Sequence, residues 1–196
     1  MTYSAHIRFG LSIVTVFGIL GCAATETESN LLNTENRNVV KRMDSIDIDA
    51  EDGKRLFEIF EFTPINGEVS GKFSIIEARK GFRAGHMPSV SIGCTNKSQD
   101  YWGFVRFRYT GASKLVADLE RWENGKIKNQ KQAFAIFQSD QDVGFKVQWI
   151  GGEGIVVSVK DSISKKIFMS TEEPICFLGG DFLTVGFENI VLMQYL

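Results

Sequence analysis

From Ser45 onward the chain consists of short stretches in which apolar and polar residues alternate with a period of two, rich in Val, Ile and Phe and punctuated by glycine. That period marks strands with one buried face, and many such runs in succession specify an all-β sandwich or barrel. The candidate strands are 45–49, 55–62, 70–77, 89–94, 101–109, 114–122, 132–137, 143–150, 154–160, 165–170, 175–178 and 182–194, and no stretch among them offers a convincing helix. Asp52-Gly53, Asn124-Gly125 and Gly151-Gly152 supply the left-handed backbone that tight reversals need. In the clearest hairpin, Val143, Phe145, Val147 and Trp149 share one face and Ile155, Val157 and Val159 return on it. Such an apolar face must be buried against a second sheet.

The first 22 residues follow a different pattern. Arg8 precedes an apolar run from Phe9 to Leu20, and Ile19-Leu20-Gly21 leads directly into Cys22. One charge, about a dozen apolar residues and a small residue at the end describe an export signal, whereas a spanning helix needs roughly 20 apolar residues. With cysteine at the cut, the segment resembles the lipobox of bacterial lipoproteins. The resemblance implies cleavage before Cys22, acyl chains such as palmitate on its thiol and new amino group, and a protein anchored by lipid in the bacterial cell envelope. Two or more chains hold a membrane stably where one does not. Ala23 stands where an aspartate would retain an enteric lipoprotein at the inner membrane, which points to the outer membrane. The polar run from Ala23 to Asn36 has little to bury and reads as a tether. The expected organisation is a signal peptide over 1–21, lipidated Cys22 with a flexible tether over 22–44, and a β-sandwich domain over 45–196.

Composition narrows the chemistry. The chain carries 22 basic and 24 acidic side chains, a net charge of −2, and no Lys/Arg cluster or phosphate-cradling glycine loop, so nucleic acid and nucleotides are not expected partners. Of three cysteines, lipidation takes Cys22, leaving Cys94 and Cys176 either as a disulfide or as two buried thiols. Closing so long a loop would stabilise the fold by roughly 4 to 5 kcal/mol in the chain-entropy model. With the signal removed, His86 is the one remaining histidine, set in a Gly85-His86-Met87-Pro88 turn, which excludes a histidine metal cluster. Asp47, Asp49, Glu51 and Glu58 have part of the spacing of a calcium loop, but Asp52 occupies the place that such a loop gives to glycine. Ile46 and Ile48 before the acids and Leu56 to Phe60 after them read instead as strand, turn, strand, and no cofactor is expected.

Phe145-x-Val-x-Trp149, then Ile155-x-Val-x-Val159, then Val185-x-Phe-x-Asn-Ile-x-Leu192 resemble the second half of concanavalin-like jelly rolls, a superfamily of lectins, laminin-G-like modules and glucanases. The resemblance covers residues 100–196 and implies a two-sheet antiparallel sandwich. Within it, the hairpin from Tyr101 to Trp122 can be registered. With Tyr109 opposite Leu115, Phe107 opposite Ala117 and Val105 opposite Leu119, one face is uniformly apolar. The other face then sets Trp102 opposite Trp122 and Arg106 opposite Asp118, with Glu120 between. Indoles stack on the apolar face of a pyranose while carboxylate and guanidinium groups satisfy its hydroxyls. Trp102, Arg106, Asp118, Glu120 and Trp122 are therefore the candidate glycan-binding residues of a non-catalytic module. Two alternatives stand beside it. One is an envelope structural protein whose polar face is covered by a protein partner. The other follows from Asp118-x-Glu120-x-x-Glu123, which resembles the acidic motif of laminarinase-like and licheninase-like glucanases with its first two acids exchanged.

Overall fold

The computed structural model describes residues 37–50, 55–61, 66–79, 87–111, 113–151, 153–160, 162–163, 167 and 174–195. They form twelve strands: β1 (Arg37–Asp49), β2 (Arg55–Glu61), β3 (Asn66–Ala78), β4 (Ser89–Asn96), β5 (Tyr101–Tyr109), β6 (Lys114–Glu123), β7 (Lys126–Gln138), β8 (Val143–Ile150), β9 (Gly154–Val159), β10 (Ser162–Ile163), β11 (Pro174–Asp181) and β12 (Leu183–Tyr195). Every pairing is antiparallel. The first sheet has the order β1-β12-β3-β8-β9-β10 and the second β2-β11-β4-β5-β6-β7. Successive strands β1 to β4 alternate between the sheets and take β12 and β11 as partners. The chain is thus wrapped as one long ribbon, the topology of a jelly-roll sandwich.

The core lies between the sheets and is filled by the period-two positions. Val143, Phe145, Val147 and Trp149 are buried, and Phe145, Val147 and Trp149 lie opposite Val159, Val157 and Ile155 in the registered β8–β9 pair. Phe73 of the first sheet meets Phe107 of the second with ring centroids 4.9 Å apart. Trp149 needs a bare backbone beneath it, because a Cβ on Gly67 would lie 1.9 Å from the indole. At the β6–β7 turn, Asn124 and Gly125 both have positive φ, 50° and 71°, the left-handed pair that a two-residue hairpin loop demands.

Several boundaries differ from the sequence reading, with the two largest shifts of a strand start at edge strands. Strand β1 begins at Arg37, inside the segment assigned to the tether, and its first half pairs with Ile190 to Tyr195 of β12. It is an edge strand with mostly exposed side chains, so backbone hydrogen bonds hold it and no apolar period announces it. Strand β7 likewise starts at Lys126 rather than at 132. Cys22, the signal segment, His86, Glu51 to Gly53 and most of the expected strand at 165–170 lie outside the described residues.

On its outer side the first sheet is closed by a hydrogen-bonded polar cluster. Glu68, 1% exposed, accepts from the Tyr195 hydroxyl at 2.6 Å and from Gln148 at 3.2 Å, with the Lys146 ammonium 3.5 Å away. Burial, and next its hydrogen bond to Glu68, push the Tyr195 hydroxyl up to about 12. Asp47 and Asp49 lie in β1, where Asp49 accepts from Thr184 at 2.9 Å and pairs with Arg79, while Glu58 lies in β2 of the other sheet. Among the described residues no three metal-ligating side chains gather into a site.

Cys94 and Cys176 are directly opposite in the β4–β11 pair, fully buried and joined by a disulfide across 82 residues of sequence. This bond ties a strand from the first half of the chain to one from the last. Replacing both cysteines by alanine is expected to lower unfolding stability by about 2–5 kcal/mol, measured by urea denaturation beside the oxidised wild type.

Candidate functional site

The outer face of the second sheet is built from rows of residues running across the strands. One row is Ile175, Thr95, Trp102, Trp122 and Ile127. The next is Ile59, Phe177, Gly93, Phe104 and Glu120. The third is Phe57, Gly179, Ser91, Arg106 and Asp118, and the fourth Asp181, Ser89, Arg108 and Val116. Strand β4 therefore contributes only Ser89, Ser91, Gly93 and Thr95 to this face, while its neighbours contribute aromatic rings and arginines. All four small residues are buried beneath those larger neighbours. The result is a trough along β4.

Gly93 sets the depth of that trough. A Cβ there would lie 2.2 Å from the Gly103 carbonyl oxygen and 2.4 Å from Phe104 Cβ, so only glycine lets Phe104 close over the strand. Phe104 and Phe177 meet above it with centroids 6.0 Å apart. Phe57 and Trp102 extend the layer, each 5.1 Å from Phe177, and Trp122 lies 6.4 Å from Phe104. A cavity of about 280 Å³ opens on this layer, lined by Phe57, Ser91, Phe104, Arg106, Phe177 and the two tryptophans, with Gln99 and Gly125 from the turns at one end. A second depression of about 90 Å³ lies on the Phe57, Ile59 and Ile175 side of Trp102. The larger volume is near the lower bound for a small-molecule site.

Both tryptophans are half-buried and fixed by their indole N–H groups. Trp102 Nε1 donates to the Gln99 carbonyl at 2.7 Å and Trp122 Nε1 to Glu120 at 2.9 Å. The turn beneath Trp102 is itself rigid, because Asn96 accepts from the Tyr101 amide at 3.0 Å and donates to Ser98 at 2.8 Å, which donates to Asp100 at 2.6 Å. The Asn124 amide then donates to the Asp100 carbonyl at 2.7 Å and joins the two turns. An indole whose N–H is already satisfied presents only its faces to a ligand.

The β5–β6 register places Trp102 opposite Trp122 and Arg106 opposite Asp118. The ion pairs, however, run diagonally. Arg106 reaches Glu120 at 3.4 Å and Arg108 pairs with Asp118. Strand twist brings such diagonal neighbours within reach of long side chains. Asp118 and Glu120 are 0% and 1% exposed, which changes the role expected of them. They position Arg108, Arg106 and Trp122 from below and do not themselves reach the opening. Glu123 falls on the reverse face, opposite Tyr101, where it pairs with Arg121 and lies 3.9 Å from Lys128. Asp118, Glu120 and Glu123 are therefore not gathered on one face as a hydrolytic motif requires.

Phe57, Ser91, Phe177 and Gln99 were absent from the sequence reading of the site, whereas Arg108 lies where the hairpin register puts it, opposite Val116. One signal existed, for Phe177 alone: Ile175-Cys176-Phe177-Leu178 is apolar at every position, which marks a strand covered on both faces.

No family model and no curated protein matches the chain. Solved structures with a similar chain course include the carbohydrate-binding module CBM66 from Bacillus subtilis, at 11% identity over 79% of this chain and 93% of that one, TM-score 0.45. The Bacillus licheniformis β-glucanase is 9% identical over 85% of this chain and 95% of that one, TM-score 0.47. Galectin-Ib of Xenopus laevis is 14% identical over 70% of this chain and 99% of that one, TM-score 0.47. At such identity these likenesses bear on no residue of the groove.

Because Asp118 is fully buried and pairs with Arg108, Arg108→Ala is expected to destabilise the fold by about 3 kcal/mol, the scale for removing one partner of a buried ion pair. Adding Asp118→Asn should recover part of that loss. Urea unfolding of the single and double variants checks both expectations.

Proposed function

We propose that this protein is an exported lipoprotein whose β-sandwich binds carbohydrate in the aromatic trough of its second sheet, without catalysis. The observation that carries the reading is the pair of half-buried tryptophans, locked through their N–H groups at the edge of a cavity with Ser91 and Arg106 in its wall. A pyranose offers an apolar C–H face and a rim of hydroxyls. The fixed rings suit the first, and the guanidinium, serine hydroxyl and Gln99 suit the second. The rigidity of the turns spares a ligand the cost of ordering them. The reverse-face position of Glu123 and the burial of Asp118 and Glu120 in arginine pairs support binding over hydrolysis. A buried disulfide supports an oxidising compartment, in keeping with the lipobox at Cys22.

On a glycan array, the full chain in detergent is expected to bind, and Trp102→Ala and Trp122→Ala each to weaken binding at least tenfold, the scale of a lost aromatic anchor. Ile127→Ala, an exposed change beyond the cavity, should leave affinity unchanged. Wild-type affinity in a folded Trp102→Ala variant would reject the site. For the anchor, Cys22→Ala is expected to prevent processing and acylation, read by mass spectrometry of the amino terminus in wild type and variant.

A further inference from the structure

On the trough face of β11, β4, β5 and β6, acids and bases are sorted by depth. The carboxylates of Asp181, Asp118 and Glu120 are on strands in this face and are 7%, 0% and 1% exposed. The side chains of Arg106 and Arg108 are 18% and 28% exposed. In each ion pair the anion is thus the buried end and the cation the end that meets solvent. Arg106 also lines the 280 Å³ cavity, where its guanidinium lies 5.4 Å from the Phe104 ring centre. The other cavity-lining side chains are aromatic or neutral. Asp100, the acid of the adjoining turn, is engaged by Ser98.

A cavity with this wall does not treat neutral and anionic sugars alike. A neutral pyranose gains one polar partner from Arg106. A carboxylate meets the solvent-facing guanidinium of the Arg106–Glu120 pair first, with the buried anion on the far side, so attraction to the nearer charge exceeds repulsion from the farther one, and weak screening over the aromatic floor enlarges the difference. A guanidinium carries five N–H donors in a planar fork that matches a carboxylate, and its position over Phe104 holds the plane in place. Resting on the carbohydrate reading, we infer that the trough selects acidic saccharides, with the carboxylate of a uronic-acid-type residue at Arg106 and its ring against the tryptophans. Arg108, one row further along β5, extends the cationic side of the trough beyond the cavity.

The test uses matched probes. A panel of hexuronate oligosaccharides of different linkage is offered to the full chain in detergent beside the same oligosaccharides with carboxyls reduced to alcohols, and affinity is read by calorimetry. The expected result is at least tenfold tighter binding of the acidic member of one pair, a preference that shrinks between low and high salt. In the double variant Arg106→Gln/Glu120→Gln, which replaces the ion pair by two neutral amides so that no buried charge is stranded, the acidic and reduced members should bind equally; both weaken, since the neutral sugar also loses its Arg106 partner, and the readout is the ratio within each pair. Equal binding of acidic and reduced members by the wild type would overturn the inference and leave the carbohydrate reading standing. Failure of both members across the panel, with neutral glycans bound on the array, would overturn it as well. Failure there and on the array would remove the carbohydrate reading itself.

Discussion

Everything distinctive about the second sheet depends on the steric inequality between β4 and its neighbours. An inner strand whose outer face offers only serine, glycine and threonine cannot fill the space above itself, so the large side chains of β5 and β11 lean inward over it. Gly93 is the extreme case, since its missing Cβ is the room that Phe104 occupies. The leaning rings cover β4 without closing the surface completely. What stays open is a trough whose floor is apolar and whose walls were set by sheet register rather than by flexible loops. Pre-set walls are what allow a small cavity to discriminate among ligands.

Burial of the acids follows from the same geometry. Once Trp122 and Arg106 lie over Glu120, and Arg108 over Asp118, these carboxylates lose most contact with water and are held by side-chain partners in its place. The arrangement gives β6 polar residues on a face that is otherwise aromatic without leaving any carboxylate at the opening. The first sheet solves the corresponding problem differently. There Glu68 is held by tyrosine, glutamine and lysine in a hydrogen-bonded cluster.

The sandwich was legible in the sequence because its core strands obey a strict period of two. The β5–β6 hairpin could be registered residue by residue and the β8–β9 hairpin assigned its buried face, since each has one uniformly apolar face and a short turn. Edge strands were less legible. Arg37 to Met43 pairs through its backbone and shows no apolar stripe, so it read as tether. Half of the trough was legible for the same reason as the hairpin: Trp102, Arg106 and Trp122 lie on neighbouring strands joined by a turn. The other half was not. Phe57 and Phe177 enter through the pairing of β2 and β11 with β4; the apolar run at Ile175 to Leu178 marks a doubly covered strand, but nothing local says which strands it joins. The diagonal ion pairs were also invisible, because register assigns opposite residues while twist decides which side chains meet.

The disulfide between β4 and β11 sits on the reverse side of the strands that carry Gly93 and Phe177. In a chain exported as proposed, the two thiols stay reduced in the cytosol, where the ribbon that joins the first half of the chain to the last lacks its covalent clasp. Such a precursor resists unthreading less, which suits passage through a translocation pore. Oxidation on the far side would then cinch the back of the trough, so that the surface proposed to bind is covalently braced only outside the cytosol.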